Sequence, residues 1–223
     1  KALQGPSRQL MDEARLGGLF DDPRVVSVVD VGEDERGAYV VMEYVEGASL
    51  SELLVRYAKK QAKLPVEVVA YIAEQIALGL HAVHTLEDPY GTPLQVVHRD
   101  VSPQNILIDF QGRIRLADFG IAVVEGRGQD TAEGHVRGKP GYVAPEQLRL
   151  EAIDHRADLF ALGVVLFEAL TATRLFSSPR TGFTLEKDLL DHRDDVPAEV
   201  EELMVQMLSE DPMARPEEAL TVA

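Results

Sequence analysis

The 223-residue sequence contains no cysteine. It can therefore form neither a disulfide framework nor a zinc site with cysteine ligands. An absence of cysteine fits a reducing compartment, so we expect a cytoplasmic location, with any membrane tether lying outside these residues.

Basic residues are scarce as well. The chain has 22 Lys and Arg against 38 Asp and Glu, a formal net charge of −16. A surface this acidic repels nucleic-acid phosphates and anionic membranes, so we expect neither as a main partner.

Long apolar runs are also lacking. The longest, residues 161–170, is interrupted by Gly163 and Glu168 and is far too short to span a bilayer. We therefore expect no transmembrane segment in this chain, and we find no signal-peptide pattern or internal repeat. Because the chain opens on Lys1 and ends inside a predicted helix, we expect a fragment of a longer protein.

The remaining composition is that of a globular protein, with 45% hydrophobic and 27% charged residues. Apolar periodicity predicts a helix over residues 7–19, followed by antiparallel strands over 24–31 and 38–45 joined by a polar turn. Helices are predicted over 49–60 and 66–86, the second with Pro65 near its first turn.

Short strands are predicted over 96–97, 106–109 and 113–116, with a hairpin turn at 110–112. The glycine-rich stretch 119–141 has little periodicity and is predicted to be a long loop. A buried helix is expected over 157–171, and further helices over 198–208 and from 217 onward.

Three short motifs follow one another in the second half of the chain. They are HRDVSPQN at 98–105, DFG at 118–120 and APE at 144–146. Any one triplet alone is more simply a turn, because Asp and Gly are common in turns. The ordered set, each member in a strand or loop context, leaves that explanation little weight.

Together the three motifs resemble those of protein kinases, and the closest match is to the bacterial serine/threonine kinases of eukaryotic type. The resemblance covers nearly the whole chain. It implies an α+β, two-lobed fold, with a truncated small lobe over residues 1–45 and a mainly helical large lobe over 46–223. It also implies ATP and Mg²⁺ as cofactors and a protein substrate.

The spacing of the polar residues suits phosphoryl transfer. That reaction needs a carboxylate at the attacking hydroxyl and metal ligands beside the phosphates. By resemblance, Asp100 accepts or orients the substrate hydroxyl, while Asn105 and Asp118 hold Mg²⁺ through hard oxygen ligands.

Supporting roles are implied by the same resemblance. His98 and Phe119, which precedes Gly120, pack beneath the site, and Asp158 accepts backbone N–H bonds from the catalytic loop. An unpaired carboxylate buried there would be very costly. Glu146 and Arg215 form an ion pair that ties the long loop to the large lobe, or else are two solvated surface charges.

Nucleotide contacts are implied nearer the start of the chain. Met42 would lie at the back of the adenine pocket, and Glu43 to Val45 would form the hinge whose backbone meets adenine. Lys1 either pairs with Glu13 and the phosphates or is simply a solvated terminal residue.

The loop departs from the family pattern at Ser102, where serine/threonine kinases usually have a lysine that touches the transferred phosphate. The segment before APE has Gly138-Lys139 where Gly-Thr is usual, so a hydroxyl and an ammonium have exchanged places. We hypothesise that Lys139 supplies the cation, with Ser102 taking over the hydroxyl's hydrogen bonds. The alternative is that Lys139 points to solvent.

Regulation is predicted at one further position. Arg99 precedes the catalytic Asp, and by resemblance such an arginine binds a phosphate on the long loop. Thr131 is the one Ser or Thr between Asp118 and Glu146, so it is predicted to be an activating autophosphorylation site.

The sequence thus predicts a protein kinase acting on Ser and Thr hydroxyls. A pseudokinase that serves as a binding or scaffolding module is the alternative, and intact Asp100, Asn105 and Asp118 argue against it. His81 and His84 lie three residues apart on one helix, but with no third ligand evident they do not indicate a metal site.

Overall fold

The computed structural model describes residues 18–35, 37–118, 123–124, 138–176 and 193–223. Predictions that concern Lys1, Glu13, Phe119, Gly120 and Thr131 therefore lie outside the described residues.

The first part of the described chain is a β-hairpin. Strand β1 (Val28–Asp34) pairs antiparallel with β2 (Gly37–Met42), with a bulge between Val28 and Asp30. Both strands extend into the stretch predicted to be a polar turn, because the antiparallel pairing continues as far as Asp34 opposite Gly37.

A second, three-stranded sheet begins the larger part. Strand β3 (Gly47–Ser49) pairs with β5 (Ile106–Asp109), which pairs with β6 (Ile114–Leu116), all antiparallel. The β3 and β5 backbones lie so close that a Cβ atom at Gly47 would lie 2.0 Å from the carbonyl oxygen of Ile108. Only glycine fits this approach.

The predicted long loop contains a strand that sequence periodicity missed. Val123 and Val124, as β7, pair antiparallel with β4 (Val96–Val97). A two-residue strand is too short to produce a period, so only its partner reveals it.

The helices of the larger part lie close to their predicted ranges. They are α1 (Leu50–Lys59), α2 (Val66–His84), a single turn α3 (Pro145–Leu148), α4 (Arg156–Thr171) and α5 (Ala198–Met207). Helix α1 begins at a capping box in which Ser49 and Glu52 bond each other's backbone N–H. The helix predicted from residue 217 is only a 3₁₀ turn, Ala219–Thr221.

Helix α4 forms the centre of the core. Nearly every one of its side chains is buried, including the large apolar residues Phe160, Leu162 and Leu170. Helices α2 and α5 pack against it, α2 through a stripe at three- and four-residue spacing that includes Ile72, Ile76 and Leu80.

Among the described residues, α2 is also the one helix long and apolar enough to cross a membrane by length and composition. Its inward stripe is buried in the core, as in the central helix of a folded domain. The search for long apolar runs did not single out this helix, because polar Glu74 and Gln75 interrupt its apolar run, and the absence of a transmembrane segment stays a prediction.

Arg193 fastens two helix ends to each other. Its guanidinium donates to the carbonyl oxygens of Leu64 (2.7 Å) and Leu170 (3.0 Å), just before α2 and near the end of α4. It also pairs with Asp195 at 2.6 Å, and its side chain is only 6% exposed.

We expect Arg193→Met to lower the free energy of unfolding by about 2 kcal/mol, because two carbonyl oxygens lose their donor. Urea denaturation measures the change. The matched control is Arg56→Met on the exposed face of α1, which should shift stability by less than about 0.5 kcal/mol. Equal effects of the two substitutions would show that Arg193 does not fasten these helix ends.

Candidate active site

The catalytic loop, residues 98–105, connects β4 to β5 and is held from beneath by one buried carboxylate. Asp158, at the start of α4, accepts the backbone N–H of His98 through Oδ2 and that of Arg99 through Oδ1, both at 2.8 Å. This is the arrangement predicted for Asp158. Arg99 has a left-handed φ of +65°, a costly conformation that the two bonds stabilise.

A third partner of Asp158 was not predicted. Nε2 of His84, at the end of α2, lies 2.8 Å from Oδ2. Burial raises the pKa of Asp158, but the hydrogen bonds to the His84 ring and to the His98 backbone N–H outweigh burial, so the pKa lies below its ordinary value. The carboxylate is therefore ionised at neutral pH.

His98 is fully buried and neutral. Its Nδ1 accepts the backbone N–H of Asp100 at 3.2 Å, and its Nε2 lies 3.3 Å from the carbonyl oxygen of Ala117. These contacts fit an imidazole with its proton on Nε2. Burial lowers the pKa of His98 despite the opposing charges of Asp158 and Asp100.

Asp100 and Asn105 are fastened to each other. The Asn105 amide Nδ2 donates to the Asp100 carbonyl oxygen at 2.9 Å and to Asp100 Oδ2 at 2.8 Å. Asn105 N also bonds the Ser102 carbonyl at 2.9 Å, which closes the loop on itself. The two side chains are almost completely buried, so their relative orientation is fixed.

Lys139 lies in this same cluster. Its ammonium is 2.8 Å from Asn105 Oδ1, 3.1 Å from Ser102 Oγ and 3.3 Å from Asp100 Oδ2. Its backbone N–H lies 3.2 Å from Asp100 Oδ1. The Lys139 side chain therefore faces the catalytic loop, so the alternative that it points to solvent is wrong. The role of its ammonium in phosphoryl transfer stays a prediction.

A glycine allows this approach. Gly138 has a φ of +108°, and a Cβ atom there would lie 2.9 Å from the carbonyl oxygen of Arg99. Glycine therefore lets the segment before APE run directly against the catalytic loop.

Asp118 directly follows a residue whose backbone is bonded to Asn105. The backbone N–H of the preceding residue, Ala117, donates to the Asn105 carbonyl at 2.8 Å, and Asp118 itself adopts a left-handed φ of +68° with an exposed side chain. The exposed Asp118 carboxylate and the Asn105 amide oxygen are hard donors of the kind Mg²⁺ takes. Within the described ranges, no group of three His, Asp or Glu side chains gathers as a separate metal site.

The hinge region is more open than predicted. The backbone N–H of Glu43 donates to the carbonyl oxygen of Ser27 at 2.9 Å, and the Glu43 carboxylate forms an ion pair with Arg115 at 2.5 Å. Val45 is half-buried. Met42, however, is 45% exposed, so in this structure it does not close the back of a pocket.

Glu146 and Arg215 form the predicted ion pair, and it is buried. Arg215 donates to the two carboxylate oxygens at 2.6 and 2.8 Å, and to the carbonyl oxygen of Ser209 at 2.9 Å. The guanidinium also lies 5.0 Å from the centre of the Phe160 ring. The idea of two solvated charges is therefore wrong.

One buried pair beside the site escaped prediction. The Tyr142 hydroxyl donates to Glu168 on α4 at 2.7 Å, and burial raises the pKa of both groups. The sequence held one signal for this pair, which is the carboxylate of Glu168 in an otherwise apolar helix. A buried carboxyl group needs a hydrogen-bonding partner.

Comparison with known proteins places the chain among kinases. A family model described as "Protein kinase domain" matches residues 1–222. The chain is 39% identical over 211 residues to the tyrosine-protein kinase MasK of Myxococcus xanthus, covering 92% of this chain and 33% of that protein. It is 34% identical over 219 residues to the serine/threonine-protein kinase PrkC of Bacillus subtilis, covering 95% and 32%.

Solved structures agree. The Mycobacterium tuberculosis PknI kinase domain superposes with a TM-score of 0.73 at 26% identity, covering 96% of this chain and 75% of that one. The predicted α+β kinase-like fold and the resemblance to bacterial kinases of eukaryotic type are confirmed. The lobe boundary at residue 45 stays a prediction. The chain spans about a third of the length of the curated relatives it matches.

We expect Glu146→Gln to lower the free energy of unfolding by about 3 kcal/mol, because it leaves the buried Arg215 charge without its counterion. Urea denaturation tests this. Glu210→Gln is the control: it removes the partly exposed pair with Arg149 and should cost less than about 1 kcal/mol. Similar losses in the two variants would contradict a special role for the buried pair.

Acid should destabilise the domain through His98. Its pKa is depressed in the folded state, so the unfolded chain takes up a proton first, near pH 6.5. Stability should therefore fall as pH drops below about 6.5, by up to about 1.4 kcal/mol per pH unit from this residue. Asp158 adds a further loss only as pH falls below about 4, because its folded pKa is lowered.

Urea denaturation at pH 7.5 and 5.5 separates the two groups, because Asp158 stays ionised over this range. His98→Phe should be less stable than the unmodified protein at pH 7.5 but lose less stability between the two pH values. A pH dependence that the substitution leaves intact would rule out His98 as its source.

Proposed function

Because the chain belongs to the protein kinase domain family, we propose that it transfers the γ-phosphoryl group of ATP to Ser and Thr hydroxyls of protein substrates. The observation that carries the proposal is the contact of one ammonium with three polar side chains of the catalytic loop. Intact Asp100, Asn105 and Asp118 favour an enzyme over a pseudokinase.

Asp100 is the group that receives the hydroxyl. Its carboxylate is held by the Asn105 amide on Oδ2 and by the Lys139 backbone N–H on Oδ1. A carboxylate fixed from two sides keeps one orientation, so it aligns the attacking oxygen without losing entropy during the reaction.

Asn105 and Asp118 would hold Mg²⁺, since an amide oxygen and an exposed carboxylate suit that ion. Bound there, the ion would neutralise charge on the phosphates of ATP. The backbone of Glu43 to Val45 would meet the adenine, and the pairing of Lys1 with Glu13 stays a prediction outside the described residues.

Lys139 supplies the cation that related kinases take from the catalytic loop. Its ammonium has three N–H donors and lies between Asp100 and Asn105. A phosphoryl group approaching Asp100 would meet this charge, which stabilises the negative charge that develops on the transferred group. The ammonium also donates a hydrogen bond to Ser102 Oγ at 3.1 Å, which helps to hold it in place.

The most specific part of the proposal is which hydroxyl, that of Ser and Thr or that of Tyr, accepts the phosphoryl group. Curated relatives include a protein named as a tyrosine kinase and one named as a serine/threonine kinase. The Ser-Pro after Asp100 and the Gly-Lys before APE differ from the tyrosine-kinase pattern, and this difference favours Ser and Thr as acceptors.

We also propose a cytoplasmic location for the domain, because ATP is present there and the lack of cysteine fits a reducing compartment.

Thr131 would regulate this activity. A phosphate there would carry about two negative charges and pair with Arg99, whose backbone Asp158 holds in place. Phosphopeptide mapping of active protein should find Thr131 modified. Full turnover with unmodified Thr131 would remove this part of the proposal.

The exchange between Ser102 and Lys139 predicts how two substitutions combine. Lys139→Thr should lower kcat by about 10² to 10³-fold, because it removes the cation near the transferred group. Ser102→Lys alone should also lower kcat, because two ammonium groups would then compete for one place.

The double variant restores one cation and one hydroxyl in exchanged positions, so its kcat should exceed that of the worse single variant by at least about tenfold. Steady-state kinetics of the full-length protein measure all four. A double variant no better than the worse single would reject the exchange.

The acceptor class is tested by phosphoamino-acid analysis after reaction with radiolabelled ATP and a protein substrate such as casein. We expect phosphoserine and phosphothreonine, and no label with Asp100→Asn. Phosphotyrosine as the main product would assign the tyrosine class instead. Nucleotide binding without label in the unmodified protein would favour the pseudokinase.

A further inference from the structure

Asn105 Oδ1 has two possible uses. In the proposed function it is a ligand of Mg²⁺, yet in this structure the Lys139 ammonium lies 2.8 Å from the same oxygen. The bond is charge-assisted and only partly exposed, because about a third of the Lys139 side chain is accessible to water.

The Asn105 amide cannot easily turn its oxygen away. Its Nδ2 donates to the carbonyl oxygen of Asp100 at 2.9 Å and to the carboxylate at 2.8 Å. A rotation that moved Oδ1 off Lys139 would place an oxygen against these two oxygens. Oδ1 is thus held facing the ammonium.

Two cations on this oxygen would repel each other. Mg²⁺ binds oxygen at about 2.1 Å, so an ion on Oδ1 would lie at most about 5 Å from an ammonium that keeps its 2.8 Å contact. Like charges at that distance in a partly buried site are poorly screened.

We propose that Lys139 and a divalent ion compete for Asn105 Oδ1, so that the enzyme binds one divalent ion tightly, through Asp118, and a second only weakly. Lys139 is then the residue that sets the metal requirement of the site. The inference rests on the proposed function, because it takes Asn105 and Asp118 as metal ligands.

Asp118 is suited to the tight ion for a separate reason. Its carboxylate is exposed, and its segment is joined to the catalytic loop through the Ala117 backbone bond to Asn105. The two positions therefore differ: one carboxylate is open to an ion, and one amide oxygen already faces a cation.

Manganese binding tests the competition. The full-length protein is saturated with adenylyl imidodiphosphate and titrated with Mn²⁺, and free Mn²⁺ is measured by electron paramagnetic resonance. We expect one tight and one weak ion in the unmodified protein. Lys139→Met should bind the second ion about 10 to 100-fold more tightly, because the amide oxygen is released.

Two controls locate the effect. Lys60→Met removes an equal charge from the exposed end of α1 and should leave both constants unchanged. Adding Asn105→Ala to Lys139→Met should abolish the gain, because the oxygen is gone. The tight ion checks that each variant is folded and binds nucleotide.

Unchanged binding of the second ion in Lys139→Met, or a gain that survives Asn105→Ala, would overturn the competition while the proposed function stands. Two equally tight ions in the unmodified protein would overturn it as well. Failure of the unmodified protein to bind Mn²⁺ with the nucleotide would instead overturn the proposed function, and the competition with it.

Discussion

The arrangement of the site depends on one buried carboxylate. Asp158 holds two successive backbone N–H groups of the catalytic loop and the His84 ring, so a loop with a left-handed residue at Arg99 keeps one conformation. The carboxylate belongs to α4, which is the centre of the core. The position of Asp100 is therefore fixed by the packing of the large lobe together with the loop's own hydrogen bonds with His98 and Asn105.

The second constraint is electrostatic. Asp100 and Asn105 lie together in a nearly buried cluster, and Lys139 brings an ammonium that contacts both. Because Lys139 belongs to the segment before APE, its contacts join that segment to the catalytic loop. The neutralisation of the Asp100 charge and the position of this segment therefore depend on each other. The close approach at Gly138 makes this coupling sterically possible.

Much of this site could be predicted because its motifs are local and ordered. The Asp158 bonds, the Glu146 pair with Arg215 and the place of Lys139 follow from matching short stretches to a family pattern. The His84 contact was missed, because it joins residues 74 positions apart and His84 belongs to none of the motifs. The exposure of Met42 and the β4 to β7 pairing likewise depend on what lies alongside in three dimensions, which periodicity does not report.

The central claim is that Lys139 supplies the cation to the transferred phosphoryl group. A crystal structure of the full-length protein with ADP, Mg²⁺ and aluminium fluoride, which imitates that group, tests it most directly. The account predicts the Lys139 ammonium within about 3.2 Å of a fluoride ligand, beside the Asp100 carboxylate. An ammonium directed to solvent, with another residue's cation on the fluoride, would contradict it.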